Sequence, residues 1–298
     1  MNNIKKIDIH AHATPFPEYY PPYMGGSRMV AAEEVIAFYD KLNIEKGLLL
    51  PISSPEAQVT PITSEECKFQ SDKYPDRLLW YCNVDPRAMQ NSTASDFYSL
   101  LNAYKNMGAK GVGEVTSNIY ADDPKLDKLF GVCAELDMPV LIHIAVKLGF
   151  GYGIVDEIGL PRIEKMLKKH PGLKLIGHSQ AFWSEISADL VEGDRGIYPG
   201  GKVIPGRIVE LMREYPNLYC DLSAGSGANA IMRDEQFGAS FLEEFSDRIM
   251  YGCDICAPSN THQFMFAEYF DGMLDKGLIS EETYRKVARE NALKLFHI

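Results

Sequence analysis

The sequence predicts an α/β protein, a parallel (β/α)8 TIM barrel, from three observations. Eight short apolar, β-branched runs recur from end to end, amphipathic helical patterns separate them, and polar, chemically able residues close several runs. The runs span residues 6–12, 47–52, 78–84, 111–115, 140–143, 173–178, 218–222 and 249–254. No internal repeat, low-complexity tract or linker interrupts residues 1–298, so one domain is expected.

The first run, Ile7-Asp8-Ile9-His10-Ala11-His12-Ala13, alternates apolar and polar residues with the period of a strand. Strict alternation puts Asp8, His10 and His12 on one face and Ile7, Ile9 and Ala11 on the other. Two imidazoles held side by side on a rigid strand form a ligand pair for a divalent metal, zinc being the commonest. Asp8 reads as a structural carboxylate behind them rather than a ligand.

Helical stripes follow. Val35, Phe38, Tyr39 and Leu42 form one; Phe97, Leu100, Leu101 and Tyr104 a second, with Gly108 as its stop; Leu126, Leu129, Phe130 and Cys133 a third. Residues 163–167 form a short helix ended by His170-Pro171-Gly172. The last helix, 283–296, carries Val287, Ala288, Ala292 and Leu295 and is expected to cap the outside of the barrel. Two long connections, 14–28 and 179–206, leave C-terminal strand ends and are rich in Pro, Gly and aromatic residues. Loops of that length are usually functional, and these either wall a pocket or pack on the surface.

Bulk properties exclude several classes. With 46% hydrophobic and 24% charged residues the chain is ordinary for a globular protein, and nothing approaches a membrane-length apolar span. A net charge of −11 argues against a nucleic-acid partner. No signal segment opens the chain, so a cytoplasmic protein with six free, buried cysteines is expected.

Four further runs end in a group that binds metals or moves protons: Glu114 on the fourth, His143 on the fifth, His178 on the sixth and Asp254 on the eighth. Alone, either histidine reads as a hydrogen-bonded core residue, Asp254 as a helix cap and Glu114 as a buried carboxylate. Together they sit at equivalent ends of four strands, and a shared metal meets the desolvation cost of all of them.

Asp-x-His-x-His on the first strand, histidines ending the fifth and sixth and Asp ending the eighth resemble the amidohydrolase superfamily. The flanking residues 8–13, 141–144, 176–179 and 251–258, with the closing 288–296, resemble its amidohydrolase-related branch, which holds hydrolases and aminocarboxymuconate-semialdehyde decarboxylase-type enzymes. The resemblance implies a barrel of the metal-dependent hydrolase type. It implies that His10, His12, His143 and Asp254 hold one divalent ion, zinc before manganese, and that His178 polarises the substrate or exchanges a proton with it. Glu114 departs from the single-ion pattern and resembles the bridging carboxylate of two-ion branches. One ion is favoured and two are allowed.

A divalent ion lowers the pKa of its water from about 15.7 to near 7. Asp254 then reads as the proton acceptor that later serves the leaving group, and His178 as the group that stabilises charge on the attacked oxygen. Lys147 could attract a substrate carboxylate or be merely solvated, and Gln180 and Trp183 are placed to line the mouth. Gly225 and Gly227 serve a tight turn or a phosphate loop; Cys253-x-x-Cys256 has redox or zinc spacing without a second pair. His170 and His297 read as surface residues, and His262 has no visible partner.

The expected function is hydrolysis of a lactone, cyclic or amide bond in a small, carboxylated molecule. The alternative enzyme is a non-oxidative, metal-dependent decarboxylase of an unsaturated or aromatic acid. A metal-binding barrel without turnover is the reading from another class. Aromatic residues in the loops could also serve a homo-oligomer.

Overall fold

The computed structural model describes residues 4–21, 27–57 and 61–298. Among these residues nine strands pair in parallel: β1 (Lys6–Ala11), β2 (Ile44–Leu49), β3 (Leu78–Trp80), β4 (Val112–Val115), β5 (Val140–Ala145), β6 (Ile154–Val155), β7 (Leu175–His178), β8 (Leu218–Asp221) and β9 (Ile249–Met250). Neighbours run β1-β2-β3 and β4-β5-β7-β8-β9. Parallel bridges Cys82–Val112 and Ala11–Ile255 join the two arcs at both seams and close an eight-stranded barrel. The short β6 pairs with β5 outside that circuit. All eight expected strands are therefore present.

Parallel neighbours need crossovers, and helices supply them. In chain order these are α1 (Ala32–Leu42), α2 (Ser64–Lys73), α3 (Phe97–Asn106), α4 (Pro124–Glu135), α5 (Pro161–Lys169), α6 (Gln180–Trp183), α7 (Arg207–Glu214), α8 (Ala224–Met232), α9 (Glu235–Glu244), α10 (His262–Asp275), α11 (Glu281–Arg285) and α12 (Asn291–Phe296). Their starts follow local chemistry. Thr63 and Glu66 close a capping box on α2, and Asp123 accepts the Lys125 N–H with Pro124 at the first position of α4. The stripes face inward: Val35, Tyr39 and Leu42 are buried, as are Leu126, Leu129, Phe130 and Cys133.

The apolar interior divides in two. One cluster lies between strands and helices; the other unites Ile7, Ile9, Leu48, Leu50, Leu141, Ile176 and Met250 inside the barrel with Ala292, Leu295 and Phe296. The closing helix therefore plugs the barrel's floor instead of capping its outside. A π-helical turn over Lys286–Glu290 joins α11 to α12, placing Val287 and Ala288 in the outer cluster and the last residues in the inner one.

The strict alternation expected on β1 also fails, because a register shift falls between Asp8, opposite Gly47, and Ala11, opposite Leu49. Three residues here face two on β2, the geometry of a bulge. Ile7 and Ile9 thus pack inside the barrel while Asp8 turns outward to α1, where the Tyr39 hydroxyl donates to its Oδ2 at 2.8 Å. Gly47 makes this contact accessible, since a Cβ there would stand 2.1 Å from the Tyr39 oxygen. Asp8 Oδ1 accepts from the backbone N–H of His10 and of Cys253, each at 2.9 Å, and so ties the first barrel strand to the last.

Gly225 and Gly227 belong to α8 rather than to a turn or phosphate loop. A Cβ on Gly227 would lie 2.4 Å from the Leu222 backbone, so glycine lets the helix start directly on the end of β8. The six cysteines are free. In the 14–28 connection Phe16 and Tyr19 are exposed, whereas Pro22, Tyr23, Gly25 and Gly26 lie outside the described residues. Among the described residues no helix is long and apolar enough to cross a membrane.

Candidate metal centre

The polar strand ends converge at the C-terminal mouth on a cavity of about 350 Å³, walled in part by His12, Glu114, His143, His178 and Asp254. His10 and His12 Nε2 stand 3.0 Å apart, and Asp254 Oδ1 is 3.6 Å from each. Glu114 Oε2 lies 3.5 Å from His12 Nε2 and 3.8 Å from His10 Nε2; its Oε1 is 3.9 Å from His178 Nε2. Among the described residues two donor sets follow, His10–His12–Asp254 and His10–Glu114–His178, with His10 common to both.

What lies behind the rings fixes their protons. His12 Nδ1 is 2.9 Å from the Leu50 carbonyl oxygen, which only accepts, so Nδ1 carries the hydrogen and Nε2 presents a lone pair. His10 Nδ1 donates to Asp221 Oδ2 at 2.7 Å. That oxygen also accepts from the Ser223 hydroxyl at 2.6 Å and lies 3.1 Å from His178 Nδ1, itself 3.0 Å from Ser223 Oγ. Asp221 and Ser223 thus orient two imidazoles at once, with the Nε2 of His10 turned toward His12, Glu114 and Asp254 and that of His178 toward Glu114.

This arrangement fits a cation. Two lone pairs 3.0 Å apart repel unless a positive charge lies between them. Glu114 Oε1 is buried without a hydrogen-bond partner among the described residues. Burial disfavours a charged His10, yet Asp254, Asp221 and Glu114 push its pKa up to about 10. Burial opposes ionisation of Glu114 as well, but the His12 contact and the charges of His143, His10 and His178 hold it well below the usual carboxylate range. Asp221 is held low in the same way, against its burial, by His10 and His178. The acidic groups demand a positive charge, which either a proton on His10 or a metal supplies.

His143 is placed differently from the expectation that it joins the first ion. It faces the cavity but lies outside both donor sets, its ring 4.7 Å from Tyr152 and 5.6 Å from His178. Burial pushes its pKa down to about 4, with Glu114 offsetting only part of the shift. A Cβ on Gly153 would approach His143 Nδ1 to 2.6 Å, so the backbone of the β5–β6 connection abuts the ring.

Of the three residues read as substrate contacts, Gln180 lines the cavity. Trp183 does not: its indole is buried behind the site and donates to the Asp221 carbonyl oxygen at 2.9 Å. Lys147 is exposed beyond the cavity, its ammonium 5.0 Å from the centre of the exposed Phe150 ring. The aromatic walls are instead Tyr152 and Tyr198, the latter from the 179–206 connection. Cys256 also faces the cavity, whereas Cys253 is buried behind it. Asp254 adopts a left-handed backbone (φ 56°), unfavourable for a non-glycine residue, with its N–H held by the His10 carbonyl at 2.7 Å.

A family model described as Amidohydrolase matches residues 7–298. The chain belongs to this amidohydrolase family. No curated protein matches it. Solved structures share the fold at low identity. A 5-carboxyvanillate decarboxylase from Novosphingobium aromaticivorans, complexed with manganese, is 18% identical over 100% of both chains with a TM-score of 0.62. A 2,6-dihydroxybenzoate decarboxylase from Rhizobium is 17% identical over 98% of both, TM-score 0.61. A probable 2-pyrone-4,6-dicarboxylic acid hydrolase from Acinetobacter baumannii is 14% identical, covering 99% of this amidohydrolase chain and 100% of its own, TM-score 0.60.

Proposed function

We propose that this chain is a metal-dependent hydrolase that opens a lactone, cyclic or amide bond in a small organic acid. The observation that carries the reading is the meeting of Glu114 and Asp254 with inward-facing His10 and His12, because an idle core carboxylate would not lie 3.5 Å from a ligand imidazole. His10, His12 and Asp254 would hold the ion, zinc before manganese; Glu114 and His178 offer a second position. His143, its ring 5.6 Å from that of His178, is a further imidazole open to a second ion or to the substrate.

A divalent ion bound there supplies a Lewis acid and an acidified water. The protein's own groups do the rest. Asp254, with its side chain one quarter exposed, takes a proton at its carboxylate and returns it to the leaving group. His178 has its Nδ1 engaged by Asp221 and Ser223, so the neutral ring offers only an acceptor at Nε2. With a single ion bound and its Nε2 free of metal, it stabilises an oxyanion only as the imidazolium, paired with Asp221.

A second reading is non-oxidative decarboxylation of an unsaturated or aromatic acid. The apolar side of the cavity, formed by Met29, Ile52 and Ala57, favours it by offering a surface for a planar ring. The two decarboxylases of the same fold support it too. Metal analysis of protein purified without added metal, followed by a panel of lactones and unsaturated carboxylates, decides between them. Acid release without bicarbonate supports hydrolysis, bicarbonate release supports decarboxylation, and protein that binds neither zinc nor manganese overturns both.

A further inference from the structure

His262 opens α10, just beyond the strand end that carries Asp254, and its ring lines the same cavity. Its Nε2 is 3.0 Å from the carbonyl oxygen of Cys253. A carbonyl oxygen can only accept, so Nε2 carries the hydrogen and the neutral ring keeps Nδ1 as an acceptor. Among the described residues nothing bonds that Nδ1.

The brace is stiff. Cys253 N–H is held by Asp8 and Asp254 N–H by the His10 carbonyl, so the ring is positioned by the backbone that sets the metal-binding carboxylate. The neighbouring polar groups complete the pattern. Asn260 Oδ1 is consumed by the backbone N–H groups of Cys256 and Ala257, both at 2.8 Å, and so accepts nothing further at full strength. Gln180 gives its amide hydrogen to the Tyr198 hydroxyl at 3.2 Å, which leaves its carbonyl oxygen as an acceptor. Two acceptors, His262 Nδ1 and Gln180 Oε1, therefore belong to one cavity wall system.

We propose that His262 is a specificity-determining residue that accepts a hydrogen bond from a hydroxyl on a part of the substrate not held by the metal. This deepens the proposed function and rests on its placing the reacting carboxyl or carbonyl group at the metal. A substrate bearing an ether, nitro or carboxylate oxygen in place of that hydroxyl meets acceptor against acceptor. Selection then comes from a polar group left unpaired on burial, which discriminates more sharply than a missing methylene does.

The test is equilibrium binding to the manganese-loaded full chain, by calorimetry, of 2-, 3- and 4-hydroxybenzoate and their methoxy counterparts. A methoxy group keeps the oxygen and removes the donor. The expected result is one hydroxy isomer bound about five- to tenfold more tightly than its methoxy partner. His262→Phe collapses that ratio to within about twofold, and His262→Gln, which retains an acceptor, restores part of it. If no pair in the panel separates by more than twofold in the unsubstituted protein, including the case in which none binds, the proposal is overturned. A ratio that survives His262→Phe in folded protein overturns it as well. Metal content and rebinding after chelation are read separately: binding that ignores metal removal counts against the metal reading, and the hydroxy-to-methoxy ratio still judges His262.

Discussion

The two mouths of the barrel are made from the same strands and treat water in opposite ways. At the floor, Ala292, Leu295 and Phe296 seal the ends with side chains that need only volume. At the top, β1, β4, β7, β8 and β9 lead into His10, His12, Glu114, His178, Asp221 and Asp254, groups that need partners. The floor is filled by packing, with the buried Tyr81 hydroxyl as its one polar atom lacking a hydrogen-bond partner among the described residues. The top keeps a buried carboxylate oxygen on Glu114 and a ring nitrogen on His143 without hydrogen bonds among the described residues, and holds Asp254 in a left-handed backbone. Stability is concentrated at one end and reactivity at the other, the division expected of such barrels.

Exchanging damage between the ends breaks this contrast if it is wrong. Asp254→Asn removes the proposed proton acceptor and a candidate ligand while keeping the shape, so kcat/KM should fall by about 10²–10⁴ or more with a urea midpoint near that of the parent. Full activity would remove Asp254 from the chemistry. Phe296→Ala should do the reverse. A buried ring packed edge-on against Tyr81, 5.5 Å between centres, should cost about 3–5 kcal/mol on removal, while activity per folded molecule and metal content are retained. Denaturant titration alongside a metal assay reads both.

Much of the top mouth was legible because each polar residue interrupts an apolar run at a strand end, and a strand end of a barrel has one place to point. His10, His12, Glu114, His178 and Asp254 were found this way and do meet. Asp221-Leu222-Ser223 carries the same signal, a polar pair closing β8, the seventh barrel strand. His262 gave no local signal, since its partner is a backbone carbonyl nine residues back. The bulge in β1 was hidden for a different reason. It arises from register against β2 and from the hydrogen bonds of β9, and no single-strand pattern contains either. Trp183 and Lys147 failed because a four-residue helix and a loop set no face in advance: the indole was drawn to the Asp221 carbonyl, and the lysine to Phe150.

Ser223 sharpens the contrast within the top mouth itself, since it touches the candidate ligands rather than the cavity. Its hydroxyl donates to Asp221 and lies 3.1 Å and 3.0 Å from the Nδ1 atoms of His10 and His178. Ser223→Ala leaves Asp221 to orient both rings alone, and should lower metal affinity or turnover by about 10–100-fold with little loss of stability. Metal-binding titration and kcat separate this from a packing defect, which would move the unfolding midpoint instead.

The smallest expected effect comes from the rim above the site, where Arg87 forks onto Glu56 at 2.6 Å and 2.7 Å and onto Asp85 at 2.8 Å and 2.7 Å. Glu56 precedes the cavity residue Ala57, so this fork fastens part of the wall. The Arg87 hydrogen bonds hold the Glu56 carboxyl below its ordinary value of 4.5, against the opposing effect of partial burial. A group depressed in the folded state binds its proton more readily when unfolded. Its stabilisation is therefore present above about pH 4.5 and lost as pH falls through the lower folded value. Glu56→Gln should cost about 1 kcal/mol at pH 7, the upper end for a partly exposed but bidentate pair, and nothing at a pH below that folded value. Urea unfolding of parent and variant across that range should show two curves that converge on the acid side. Parallel curves would mean that the fork holds the wall by shape and not by charge.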